Sequence, residues 1–130
     1  MRQKVLIIDD SPEIQALLRA RLKDEPIEMH FADCGPTGLA MAAQINPDII
    51  LLDIEMPEMD GYALAAAIRA LGDIGRRPVI LAITAADIDM NERDAHERGF
   101  DGYMLKPLEL AILEAKLVAL TRQAGAASAS

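Results

Sequence analysis

The stretch "KVLIIDDSPE" (residues 4–13) runs four apolar residues, Val5 to Ile8, straight into two adjacent carboxylates, Asp9 and Asp10. Ser11 and Pro12 follow at once. They suit an N-cap and the first helical position, where the missing proline N–H costs nothing. An unbroken Val/Leu/Ile run bounded this way reads as a strand buried on both faces, the habit of parallel sheets. The stretch is therefore a strand passing directly into a helix. The two like charges at its mouth repel each other, and an oxygen-ligated divalent cation is the natural compensation.

The same unit recurs along the chain. Asp48–Leu52, apolar from Ile49 onward, and Val79–Ile83 are further runs of this kind, and Ile27–Phe31 and Gly102–Leu105 are weaker strands. Helical stripes lie between them: Ile14, Leu17, Leu18 and Leu22; then Leu39, Ala40, Ala43 and Ile45; then Leu64, Ile68 and Leu71; and last Leu110, Leu113, Leu117 and Leu120. Residues 87–98 are polar, with Ile88, Met90, Asn91 and Ala95 as the available inner stripe. The spacing predicts a helix there, the least firmly packed of the five. Five βα units in this length give an α/β domain: a doubly wound parallel sheet with helices on both faces. Residues 72–78 read as a loop, and Gly61 as a turn residue before the third helix. The domain is expected over 1–122, with 123–130 a flexible tail or the start of a linker.

Composition narrows the partners. The chain has 130 residues, 52% of them hydrophobic, with a net charge of −8. That fits one compact domain and argues against direct contact between this segment and a phosphate backbone. A single cysteine, Cys34, excludes an internal disulfide and a cysteine-rich metal site, and fits a reduced, cytoplasmic setting. No apolar stretch approaches the roughly 20 residues that span a bilayer. His30 and His96 lack metal-ligand spacing and read as surface residues.

Ligands of such sheets bind beyond the carboxyl ends of the strands. Strand one leads into Asp9 and Asp10, strand three into Asp53, strand four into Thr84 and Ala85, and strand five into Lys106 and Pro107. Three carboxylates, a hydroxyl and an ammonium converge on one edge. With Asp53, the acidic pair can hold a hard cation such as Mg²⁺.

Four pieces carry a resemblance: Asp9-Asp10, "DIILLDIEMPEMDG" (48–61), Thr84-Ala85 and "YMLKP" (103–107). Each is weak alone. In this order, each at a strand end, they resemble a bacterial response-regulator receiver domain over residues 4 to about 121. The resemblance implies the flavodoxin-like strand order 2-1-3-4-5. It implies that Asp53 accepts a phosphoryl group from a histidine kinase or phosphotransfer protein. Asp9 and Asp10, with the backbone carbonyl of Glu55, would hold Mg²⁺ beside Asp53. Lys106 would pair with one phosphoryl oxygen and Thr84 hydrogen-bond another. Tyr103 would be the aromatic switch residue, and the Lys106–Pro107 bond cis. The face built from the fourth helix, fifth strand and fifth helix would change shape and could pair two copies. Glu55 and Ala86, two past Asp53 and Thr84, would flank the phosphoryl group and tune its loss, and Glu55 could reach Lys106.

Taken singly, each residue has an ordinary reading. Asp9 and Asp10 could serve a helix N-terminus, Asp53 a loop, Thr84 a cap, Lys106 a surface and Tyr103 an edge strand. Their joint placement is what those readings leave unexplained. A phosphoacceptor domain that catalyses only its own phosphoryl transfer and dephosphorylation is therefore expected. The rivals are a Mg²⁺-dependent phosphohydrolase with an aspartyl nucleophile and a docking module that is never phosphorylated. Against the first, Glu55 stands where the second aspartate of a D-x-D would be, and no cap insertion is present.

Overall fold

The computed structural model describes residues 3–54, 60–72, 78–85, 92–97 and 99–106, together with 115, 116 and 119. Its elements alternate: β1 (Gln3–Ile8), α1 (Pro12–Leu22), β2 (Ile27–Ala32), α2 (Gly35–Ile45), β3 (Ile49–Asp53), α3 (Gly61–Arg69), β4 (Val79–Ala85), α4 (Glu92–Glu97) and β5 (Gly102–Lys106). Ala115, Lys116 and Ala119 are helical. The leucine stripe expected there, Leu110 to Leu120, lies outside the described residues. The sheet is five-stranded, parallel throughout, in the order β2-β1-β3-β4-β5. Both the class and the strand order expected from the sequence are borne out.

Side-chain alternation along the strands builds two cores. Leu6 and Ile8 of β1, Ile50 and Leu52 of β3, and Ile80 and Ala82 of β4 join Ala42 of α2, Leu64, Ala65 and Ile68 of α3, and Phe100. On the other face, Val5, Ile7, Ile49, Leu51, Leu81 and Ile83 pack with Leu18 and Leu22 of α1. Burial on both faces is why these strands read as unbroken apolar runs.

Three helix readings need correction. In α1 only Leu18 and Leu22 are fully buried, Ile14 is half-buried, and Leu17 is 44% exposed. A helix resting on one sheet offers it a stripe spaced by four residues, and Leu17 stands off that stripe. In α2, Ala40 and Ala43 are exposed, while Gly35, Gly38 and Ala42 face inward. Leu39 and Ile45 pack against the core as expected, but the most buried positions are small, because α2 lies close on β1. A Cβ at Gly38 would meet Ile8 Cδ1 at 2.6 Å. Gly61 serves close approach and not a turn: a Cβ there would lie 2.4 Å from Ile54 Cα. It is the first residue of α3, whose N-cap Asp60 accepts the Tyr62 N–H at 2.9 Å.

The amino ends of β4 and β5 are tied to α3 by one side chain. Arg69 donates to Gly99 O (3.0 Å), Pro78 O (2.8 Å) and Asp101 Oδ2 (2.9 Å). Asp101 Oδ2 also accepts the Ile80 N–H at 2.8 Å. In α4, Arg93, His96 and Glu97 are exposed. Ile88, Met90 and Asn91, like the loop residues 73–77, lie outside the described residues. His30 is half-buried on β2, with Nε2 2.8 Å from Glu28 Oε2, so it is no free surface histidine.

Candidate functional site

All five strands run the same way, so their carboxyl ends share one edge. The sequence ended the strands before the chemistry; the ladder carries them into it. Asp53 pairs with Ile83, Thr84 with Leu105 and Ala85 with Lys106. Asp53, Thr84 and Lys106 are thus strand residues, held by backbone hydrogen bonds rather than by loops. Asp53 is central, because β3 lies between β1 and β4.

Carboxylate oxygens of Asp9, Asp10 and Asp53 all lie within 4.8 Å of one another. Asp9 and Asp53 are buried, each 3% exposed, and Asp10 is exposed. Asp9 is fixed at its loop: Oδ1 accepts the Ser11 N–H at 2.8 Å, and its carbonyl accepts Gln15 Nε2–H at 3.0 Å. Ser11 also caps α1 through Ile14 N, as its position in the sequence suggested. The holding role of Gln15 had no sequence signal beyond a polar residue in the first turns of α1.

Thr84 is fully buried, and its Oγ1 has no hydrogen-bond partner among the described residues. A buried hydroxyl left unsatisfied costs about 1–3 kcal/mol, and Thr84 carries it near the carboxyl end of β4, one strand from Asp53. Tyr103 is half-buried against the α2–α3 core and pairs with Ala82. Lys106 closes β5 opposite Ala85. Glu55, Ala86 and Pro107 lie outside the described residues, and with them the carbonyl ligand, the flanking positions and the cis bond expected from the sequence. The donor set itself, three carboxylates on one strand edge, is the hard oxygen kind that magnesium takes, and the residues present fit that ion. No helix among the described residues is long and apolar enough to cross a membrane.

Comparison with known proteins decides what this edge belongs to. The family model described as the response regulator receiver domain matches residues 5–118. The chain belongs to the response-regulator receiver family. This receiver domain is 38% identical over 122 residues to the response regulator PleD of Caulobacter vibrioides, covering 94% of this chain and 27% of PleD. It therefore spans about a quarter of that relative's length. Among solved structures it is similar to the receiver domain of the sensor histidine kinase PA1611 from Pseudomonas aeruginosa, which holds a magnesium ion in its active-site cleft. That match has a TM-score of 0.76 and 29% identity, and covers 94% of this chain and 97% of the other. It is also similar to the Saccharomyces cerevisiae complex of the histidine phosphotransfer protein Ypd1 with the receiver domain of Ssk1. There the TM-score is 0.80 at 25% identity, with 92% of this chain and 89% of that chain covered. Neither the phosphohydrolase nor the pure docking reading is better supported by these comparisons than the receiver reading.

Proposed function

We propose that Asp53 of this receiver domain accepts a phosphoryl group from a histidine kinase or phosphotransfer protein, and that Asp9, Asp10 and Asp53 hold Mg²⁺. The observation that carries the reading is the convergence of three carboxylates, two of them buried, on the strand edge where the Thr84 hydroxyl has no partner among the described residues. An oxygen of Asp53 forms the bond to phosphorus as the donor's P–N bond breaks, its electron pair leaving on the imidazole nitrogen. When bound, magnesium supplies positive charge that offsets the carboxylates and the phosphoryl oxygens. Lys106 pairs with one of those oxygens and Thr84 Oγ1 donates to another, so catalysis is positioning and charge compensation. The chain's own chemistry is confined to gaining and losing this group.

The signal is a shift between two states. Thr84 turns inward, Tyr103 follows, and the face built from α4, β5 and the following helix presents a changed surface to an output domain, a target protein or a second copy. The magnesium-holding receiver and the Ypd1–Ssk1 pair support the metal and the partner class by similarity. A cytoplasmic location fits a partner of that class. Incubation with acetyl phosphate and Mg²⁺ tests the reading. One phosphoryl group labile to acid and base is expected by intact mass, and none in Asp53→Asn; equal labelling of the variant would move the acceptor elsewhere.

A further inference from the structure

Asp9 is held at three atoms. Its N–H donates to Ala32 O at 3.0 Å, its Oδ1 accepts from Ser11 N at 2.8 Å, and its carbonyl oxygen accepts from Gln15 Nε2 at 3.0 Å. The third contact acts on the Asp9–Asp10 peptide itself. A peptide unit is planar, so the direction of the Asp9 carbonyl also sets the direction in which Asp10 leaves it. Asp10 is exposed, so packing does little to orient it. Gln15 is half-buried in α1, anchored by the Ser11 cap at the start of the same helix. A rigid helix thus reaches back, through one amide N–H, to the peptide between the two acidic residues.

We infer that Gln15 is a positioning residue for the divalent cation, pinning the Asp9–Asp10 peptide so that both carboxylates meet Asp53 at the spacing a small ion requires. The inference rests on the proposed reading of Asp9, Asp10 and Asp53 as the metal site. Its physical content lies in geometry. Mg²⁺ demands near-octahedral coordination at about 2.0–2.1 Å, whereas Ca²⁺ accepts a looser set at about 2.3–2.6 Å. Losing the amide pin therefore penalises the smaller ion more. A general weakening of α1 would penalise both alike.

The test titrates Mg²⁺ and Ca²⁺ separately against the thermal midpoint of the 130-residue chain, for the parent, Gln15→Leu, Gln15→Glu and Asp10→Asn. Leucine removes the donor and keeps bulk. Ionised glutamate keeps the shape, lacks the N–H and turns an oxygen on the carbonyl. Both are expected to weaken Mg²⁺ by about 10-fold or more, the usual scale for a residue that orients a ligand, and Ca²⁺ by less than about 3-fold. At saturating Mg²⁺, labelling by acetyl phosphate should return to the parent rate, since apparent metal affinity is what changes. If Gln15→Leu fails to fold, Gln15→Glu alone decides. Parent-like Mg²⁺ affinity in the folded variants, or equal losses for both ions, would overturn the role of Gln15. A parent chain that itself ignores Mg²⁺, with Asp10→Asn indistinguishable from it, would instead overturn the metal reading.

Discussion

Thr84 and Tyr103 lie on neighbouring strands with their side chains on one face of the sheet. Tyr103 pairs with Ala82, two residues before Thr84, and Thr84 pairs with Leu105, two residues after Tyr103. Alternation puts Ala82, Thr84 and Tyr103 on the α2–α3 side, where Ala82 and Tyr103 join the same core. The hydroxyl and the ring are diagonal neighbours, so movement of either alters the space left to the other. Phosphorylation of Asp53, or its beryllofluoride mimic, is expected to change amide exchange chiefly in residues 84–106 and much less in α1 and α2. Thr84→Ala should still be labelled but give a smaller change there. An even response across the domain would contradict the coupling.

The buried Thr84 hydroxyl makes a second, opposite-looking forecast. Thr84→Val keeps the shape and removes a buried donor that has no partner among the described residues. Urea unfolding without phosphodonor should show unchanged or raised stability, by up to about 1–3 kcal/mol. A clear loss would mean that the hydroxyl is already paired.

Asp10 supplies a third. Its carboxylate shares a 4.8 Å cluster with two others, so like-charge repulsion opposes folding when no cation is present. With chelator, Asp10→Asn should melt higher than the parent. With millimolar Mg²⁺ the parent should rise by mass action and the variant by much less. Parallel rises in both proteins would remove Asp10 from the metal site.

The two close-approach glycines should respond differently to a methyl group. At Gly61 the nearest atom is backbone, Ile54 Cα at 2.4 Å, so Gly61→Ala must displace the chain just after Asp53. A loss at or above the usual overpacking range of about 1–3 kcal/mol is expected. At Gly38 the nearest atom is the tip of Ile8, Cδ1 at 2.6 Å. Adding Ile8→Val, which removes that tip, should recover part of the Gly38→Ala loss. A double-mutant cycle measures the coupling.

Arg69 offers a fifth test, away from the chemistry. Its guanidinium donates to Gly99, Pro78 and Asp101 from one planar fork. Arg69→Ala should cost about 2 kcal/mol, on the scale of hydrogen bonds to a charged group. Arg69→Lys should rescue little, because an ammonium cannot reproduce the fork. Faster exchange at 99–101 in both variants is the accompanying signature.

The strands were legible because burial on both faces leaves no polar alternation to misread. Their ends were not: the sequence stopped β3, β4 and β5 at the last apolar residue, while the ladder continues through Asp53, Thr84, Ala85 and Lys106. Pairing is a property of two strands together. The carboxylate set was equally visible, since parallel topology alone gathers it. The inner side of α2 was half legible: Leu39 and Ile45 pack inward, but close packing there also selects for absent side chains, and hydrophobic periodicity has nothing to register at Gly35 and Gly38. Gln15 escaped notice for a related reason: its partner is a main-chain carbonyl, which every sequence carries everywhere.

The strand order has a consequence for how the molecule is made. β1 and β3 are neighbours in the sheet, and both are complete by residue 53. Lys106 closes the last strand. A ribosome adding about 5–20 residues per second needs about 3–10 s to travel from one to the other. Throughout that interval the growing chain can bring its mutually repelling carboxylates together while the lysine of β5 has yet to be synthesised. The nascent domain can therefore gather its three carboxylates well before the last strand exists, and ambient cations are a counterweight at hand from the start.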